Sequence, residues 1–326
     1  MARYLVSGAA GFIGARIADF LLESGHDVIG LDSLNDAYDV RLKHFRLKKL
    51  QTQDRFAFHK VDIADRAVIQ ALEGELDPLD GVINMAARAG VRASVADPWM
   101  YYDTNLTGTL NLLELCRKQT APKFILASTS SIYGAGAPQP TPEDADSSKP
   151  LQPYAASKKA AEVLCHAYHH LHGVDVTVFR FFTVYGPAGR PDMSIFRFIQ
   201  WIYEQKELTV YGDGEQSRGF TYVDDIARGV VKGLRPLGYD IFNLGGHDVV
   251  TINALIAQIE AMTGKTAERR TLPRHPADML SSWADVSKAR SLLDWKPQVD
   301  FHEGLTRTVA WYEQEREWAS SVDTQV

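Results

Sequence analysis

The sequence predicts an α/β protein in which a doubly wound parallel sheet is joined to a smaller, interleaved C-terminal domain. Three observations carry this. Short apolar strand patterns alternate with helical patterns from Arg3 to Phe182, and such alternation implies right-handed crossovers and parallel pairing. A glycine-rich turn stands between the first strand and the first helix. Beyond Phe182, Gly, Pro and aromatic residues thicken through Thr183-Val184-Tyr185-Gly186-Pro187-Ala188-Gly189-Arg190-Pro191. With 326 residues, 45% hydrophobic and 23% charged, the chain is long enough for two packed domains and has the composition of a globular enzyme.

Arg3 to Gly8 reads as a short buried strand. Gly8-Ala9-Ala10-Gly11-Phe12-Ile13-Gly14 follows, with a helix behind it to about Glu23. Glycines let backbone amides come close to a pyrophosphate, and the helix start offers unpaired N–H groups and the positive end of its dipole. This is a Rossmann-like dinucleotide signature, with Gly8, Gly11, Phe12, Ile13 and Gly14 as its cofactor contacts. A second strand, Asp27 to Leu31, ends at Asp32. A carboxylate there accepts from both adenosine ribose hydroxyls and repels a 2′-phosphate, so the expected cofactor is NAD rather than NADP. Phe56 to Val61 is a strand ending at Asp62-Ile63, where a carboxylate meets the adenine amino group. Gly81 to Met85 is another, followed by small Ala86-Ala87, which let a cofactor pass close. Lys123 to Ala127 runs into Ser128-Thr129-Ser130-Ser131-Ile132-Tyr133-Gly134, and Val176 to Phe182 follows a helix bearing Tyr154. Ligands of such sheets lie at the carboxyl ends of the strands, where all these motifs fall.

The second half reads as a helix from about Ser194 to Glu204, a strand from Leu208 to Tyr211 and a turn-rich loop over 212–218. A helix opened by Asp224-Asp225 runs to about Leu234, with the two carboxylates as its N-terminal cap, and a strand covers Ile241 to Leu244. The expected division is a cofactor domain over 1–182, with 220–247 returning to it, and a substrate domain over 183–219 and 248–326. The polar tail after Trp318 is expected to fray.

A net charge of −6 without a basic run argues against nucleic acid as a partner. No apolar run is long enough for a bilayer, and the first strand begins too early for a signal peptide, so a cytoplasmic location is expected. Cys116 and Cys165 are spaced like neither a zinc site nor a redox pair and read as free thiols in a reducing compartment. Cys165, His166, His169, His170 and His172 crowd one helix end. Lacking a companion motif, they read as a solvated or interface face, and no metal is expected.

Tyr154-Ala155-Ala156-Ser157-Lys158 carries the chemistry. A tyrosine and a lysine at this spacing share one helix face. Free phenol titrates near pH ~10 and is a poor base at neutral pH. A nearby ammonium or a cationic nicotinamide ring favours the phenolate, giving a general acid/base for a hydroxyl or carbonyl. Pro153 suits the helix start.

Gly8-x-x-Gly11-x-x-Gly14, Thr129 and the Tyr154/Lys158 pair, in that order, resemble the extended short-chain dehydrogenase/reductase superfamily, over Arg3 to about Trp311. Within it the chain resembles the UDP-glucuronate 4-epimerase family. Asp39-Val40-Arg41-Leu42-Lys43, Ala89-Gly90-Val91-Arg92, Arg180-Phe181-Phe182-Thr183-Val184-Tyr185-Gly186-Pro187 and Gly189-Arg190-Pro191-Asp192-Met193 carry that likeness. The resemblance implies C4 epimerisation of a UDP-hexuronate through a transient 4-keto sugar, by a homodimer that retains NAD. Tyr154 would take the 4-hydroxyl proton, Thr129 would bond the same oxygen, and Lys158 would hold the nicotinamide ribose. A 4-keto uronate is a β-keto acid prone to losing carbon dioxide. Ser130, Ser131 and Thr183 are the hydroxyls that would clamp its carboxylate out of alignment, with Arg190 assisting, gating the loop or meeting the diphosphate. Arg92 joins the substrate contacts. Arg218 is implied at phosphate or ribose, Tyr211 beside uracil, and Asp278 on the uridine ribose.

Ser130-Ser131 stand where nucleotide-sugar 4,6-dehydratases carry Asp-Glu, and Ser131 where UDP-glucuronate decarboxylases usually carry glutamate. Gly219, His275, Ala277, Asn84 and Arg88 depart from the family pattern, which bears on diphosphate contacts and substrate breadth. UDP-glucose 4-epimerase, a decarboxylase and a non-catalytic NAD sensor or scaffold remain open. Ala160, Leu164, Ala167 and Leu171 form an apolar stripe that is either core or half of a homodimer seam with the helix near Thr104 to Cys116.

Overall fold

The computed structural model describes residues 1–246, 248–273 and 280–324. Its largest sheet has seven strands: β1 (Arg3–Ser7), β2 (Asp27–Asp32), β3 (Phe56–Lys60), β4 (Gly81–Asn84), β5 (Lys123–Thr129), β6 (Asp175–Phe181) and the later β10 (Tyr239–Leu244). They run β10-β6-β5-β4-β1-β2-β3, and every pairing is parallel. The order reverses between β1 and β4, the switch point at which doubly wound sheets bind ligands. Successive strand residues face opposite sides. Val6, Ile83 and Ile125 therefore pack one core with the helices Phe12–Glu23 and Val223–Lys232, while Leu5, Val82 and Phe124 pack another with the helices Gly108–Lys118 and Pro153–His172. Buried on both faces, β5 reads as an unbroken apolar run closing on Ser128 and Thr129.

The second lobe is built from β7 (Thr183–Tyr185), β8 (Leu208–Tyr211), β9 (Ser217–Tyr222), β11 (Asp248–Thr251), β12 (Arg269–Leu272) and β13 (Ser281–Ser282). β9 pairs with β7, β11 and β13, and β8 pairs with β12. Helices Ser194–Tyr203, Ile252–Thr263 and Phe301–Gln314 supply its core, with Phe196, Ile256 and Tyr312 at the centre. All of β9, which ends at Tyr222, pairs within this lobe.

Three local expectations are corrected. The segment 212–218 is not all loop, because β9 starts at Ser217. Asp224 and Asp225 lie in the first turn of their helix but cap nothing through their side chains. Asp224 pairs with Arg16 at 2.7 Å, and Asp225 accepts from the backbone of Gln298 and Val299 at 2.9 and 3.1 Å. The tail does not fray as far as Thr324. The Gln200 amide donates to the carbonyls of Ala319, Ser320 and Val322, and the Trp201 indole donates to Thr324. Polar composition concealed a segment whose backbone carbonyls are met by a buried amide. Cys116 and Cys165 are buried and unpaired, and burial pushes the Cys116 thiol up to about 12. Among the described residues no helix is long and apolar enough to cross a membrane, and no three His, Cys, Asp or Glu side chains converge as a metal site.

Candidate active site

The glycine turn is built at near-contact distances. Gly8 has φ +69° and lies so close to the end of β4 that a Cβ would stand 2.8 Å from the Ala86 nitrogen. At Gly14 a Cβ would meet the Gly8 oxygen at 2.1 Å, so neither position accepts a side chain. Gly11 is the N-cap of the helix, and Phe12 and Ile13 form its first turn. Asp32 ends β2 and is 7% exposed. The Ala10 N–H donates to its Oδ2 at 3.2 Å and the Leu34 N–H to its Oδ1 at 2.8 Å, which fixes the carboxylate beside the glycine loop. Lys43 Nζ lies 3.5 Å from Oδ1 and donates to Asn35 at 2.9 Å. Asp62 is exposed just past β3, whereas Ile63 is buried against Gly108. Ala86 and Ala87 follow β4, the Ala86 N–H donating to Ser7 Oγ at 3.2 Å. The departure at Asn84 has a structural account. Its amide bridges Ser7 and Thr109 at 2.7 and 2.9 Å, fastening β1 to a neighbouring helix.

Thr129 is the last residue of β5 and caps the short helix Ser130–Tyr133, where its Oγ1 accepts from the Ser131 N–H at 3.2 Å and lies 3.2 Å from Ser131 Oγ. Tyr154 opens the helix Pro153–His172, and its phenol lies within the influence of the Thr129 hydroxyl. Burial pushes this phenol above its ordinary range, while the Thr129 hydroxyl and the charge of Arg190 pull it down. The expected lowering by Lys158 is thus corrected. The cation acting on the phenol in the protein itself is Arg190, and desolvation outweighs it. Lys158 lies one turn on, 2% exposed, and its Nζ has no hydrogen-bond partner among the described residues. Burial brings its ammonium down to about 8, against the opposing pull of Cys165 and Glu162. Behind it Glu162 accepts from Ser128 at 2.6 Å and from Arg180 at 2.8 and 3.0 Å, in a buried ion pair.

Arg190 pairs with Asp192 through Nε at 3.0 Å and Nη2 at 2.5 Å. Its Nη2 also lies 3.5 Å from the Ala89 carbonyl, to which Tyr101 donates, and the Tyr101 ring stands edge-on to Tyr154 at 6.2 Å. Arg92 stacks over Tyr211 at 4.8 Å. Thr183 opens β7, and Arg218 lies on β9 with Nη1 donating to the Ser217 carbonyl at 2.7 Å. Ser130 and Ser131 are partly exposed on the turn after β5. Asp278, His275 and Ala277 lie outside the described residues. The structure thus brings together Thr129, Tyr154 and Arg190, and separately Arg92 and Tyr211. Lys43, Arg46 and Tyr101 were missed as site residues. Lys43 and Arg46 fall on one face of a very basic helix, a pattern that reads as solvated until its burial is known.

The pattern of residues 4–245 matches the model of the NAD dependent epimerase/dehydratase family. The chain belongs to the NAD dependent epimerase/dehydratase family. A UDP-glucuronate 4-epimerase of Thermodesulfobacterium geofontis is 53% identical over 99% of each chain. Among solved structures, the UDP-glucuronic acid 4-epimerase of Bacillus cereus in complex with UDP-glucuronic acid and NAD is 37% identical, with TM-score 0.88 over 96% of this chain and 99% of that one. A UDP-glucose 4-epimerase of Thermotoga maritima with UDP-glucose is 31% identical, with the same TM-score and coverage. The family's cofactor fits the side chains present. Gly8 and Gly14 leave a cradle that a Cβ would fill, Asp32 is fixed at its rim, and the buried Lys158 ammonium has no hydrogen-bond partner among the described residues.

Proposed function

We propose that the protein interconverts UDP-glucuronate and UDP-galacturonate, inverting C4 through a transient 4-keto sugar with NAD retained. One observation carries the reading: at the carboxyl end of β5 the Thr129 hydroxyl is close enough to act on the Tyr154 phenol, one helical turn from a buried lysine whose Nζ has no hydrogen-bond partner among the described residues. Bound NAD supplies reversible hydride acceptance. Tyr154 removes and returns the 4-hydroxyl proton, Thr129 holds that oxygen, and Lys158 donates to the nicotinamide ribose. The glycine turn, Asp32, Asp62, Ile63, Ala86 and Ala87 line the path of the dinucleotide. Ser130, Ser131 and Thr183 hold the sugar carboxylate, and Arg190, close enough to act on the Tyr154 phenol, favours an anionic sugar over a neutral one. Arg92 and Tyr211 take the nucleotide end together with Arg218 and Asp278.

The lobes divide the work, the large sheet holding the cofactor and the β9 lobe the nucleotide sugar. Two free, buried cysteines support a cytoplasmic location. A homodimer accounts for an apolar face on which Trp99, Val163, Leu171 and Leu110 are 79%, 61%, 69% and 38% exposed. Ala160, Leu164 and Ala167 are only partly buried, which suits a seam better than a core. Light scattering that finds only monomer at micromolar concentration removes the dimer.

Incubation with UDP-glucuronate beside UDP-glucose, followed by NMR, tests the function. UDP-galacturonate without carbon dioxide is the expected product. UDP-xylose overturns the carboxylate clamp, and conversion of UDP-glucose alone assigns the site to neutral sugars.

A further inference from the structure

Arg46 is buried at 7% exposure on the helix Val40–Leu50. Its guanidinium reaches two loops at once. Nη1 donates to the Ala10 carbonyl, inside the glycine turn, at 3.1 Å and to the Tyr38 hydroxyl at 2.8 Å. Nε and Nη2 both donate to the Ala188 carbonyl, at 3.0 and 2.7 Å, and Nη2 also to Gly189 at 3.3 Å. Ala188 has φ +51°, a left-handed conformation that a non-glycine residue keeps only when its surroundings hold it. Two N–H groups on its carbonyl are such a hold. Phe12, also from the glycine turn, lies 5.9 Å beneath the guanidinium. The same ring stands 3.5 Å from where a Cβ would lie at Gly186, so the two loops touch there as well. Arg190 follows two residues after Ala188.

Resting on the function proposed above, we infer that Arg46 is a positioning residue that ties the cofactor-holding glycine turn to the loop carrying Arg190, so that the grip on the anionic sugar depends on an ordered cofactor turn. Among the described residues every acceptor of this guanidinium is a neutral oxygen. Its charge therefore has no carboxylate partner among them and sits behind a turn shaped for a pyrophosphate, where a bound dinucleotide would steady it. Lysine keeps the charge but has no planar fork to span both loops.

Arg46→Lys and Arg46→Gln, each alone and combined with Arg190→Lys, test this on the purified holoenzyme by NAD content, kcat and KM for UDP-glucuronate. Arg46→Lys is expected to keep its NAD while KM rises about tenfold, the loss of one or two bonds from a charged donor. Arg46→Gln is expected to shed NAD as well. If Arg46 acts through Arg190, the combined variant is no worse than Arg190→Lys alone. Additive losses, or a KM within about twofold of wild type, overturn the inference. Should the Arg46 variants fail to fold, Tyr38→Phe carries the test. A rise in KM of about threefold that vanishes beside Arg190→Lys supports the tie, and an additive or absent effect overturns it. Wild-type protein that does not turn over UDP-glucuronate counts against the proposed function instead.

Discussion

Replacing Lys158 with methionine should stabilise the NAD-free protein while destroying its activity. The side chain is 2% exposed, its Nζ has no hydrogen-bond partner among the described residues, and burial takes the ammonium from 10.5 to about 8. At about 1.36 kcal/mol per pKa unit, this shift opposes folding by roughly 3 kcal/mol below pH ~8. The folded-state pKa lies below the unfolded one. Between pH ~8 and ~10.5 the unfolded chain therefore binds more protons, and stability rises with pH across that window. Methionine matches the length of the side chain and carries no charge, so Lys158→Met should gain ~1–3 kcal/mol at pH 7, after allowance for relaxation around the ammonium. Urea unfolding of NAD-free protein, followed by circular dichroism at pH 7 and pH 10, reads this directly. The variant's midpoint should exceed that of wild type at pH 7, and the gap should narrow by pH 10. A variant midpoint at or below wild type at pH 7 refutes the buried-ammonium argument. Such a result would mean that water or an unrecognised acceptor already solvates Nζ.

Tyr154→Phe should lower turnover of UDP-glucuronate by at least ~10³-fold while NAD stays bound, and Thr129→Val by ~10- to 100-fold, both read by coupled assay and by NAD content. Preserved turnover in the first would remove the phenol as the acid/base. Arg190→Met removes a charge that pulls the Tyr154 phenol down, so the rising limb of the pH–rate profile should move to higher pH; an unmoved limb disconnects the two residues. Glu162→Gln leaves the buried Arg180 guanidinium without its carboxylate and should cost ~3–5 kcal/mol in urea unfolding. A loss below ~1 kcal/mol would show that Tyr133 and the Glu143 carbonyl alone satisfy Arg180.

The parts of this fold that were legible in the sequence rest on local rules. Gly8 and Gly14 announce a turn without room for Cβ atoms, and Asp32 announces itself by ending the next strand. β5 shows as an apolar run closing on hydroxyls. The parts that were not legible depend on where distant residues meet. The Tyr154/Lys158 spacing suggested a simple pair, but the cation acting on the phenol comes from a loop beyond β7. Arg46 looked like one more charge on a basic helix, and only its burial between Ala10 and Ala188 distinguishes it. Asp225 looked like a cap because it opens a helix, whereas the N–H groups it meets belong to Gln298 and Val299. Each of these needs the register of two elements far apart in the chain.

The backbone leaves the large sheet after β6 to enter β7, comes back for β10, and departs again into β11. A protease that nicks a single surface loop therefore releases neither half, and no truncation yields one half intact. Melting should register as one event for both lobes, and separating one lobe from the other would take cuts at more than one place.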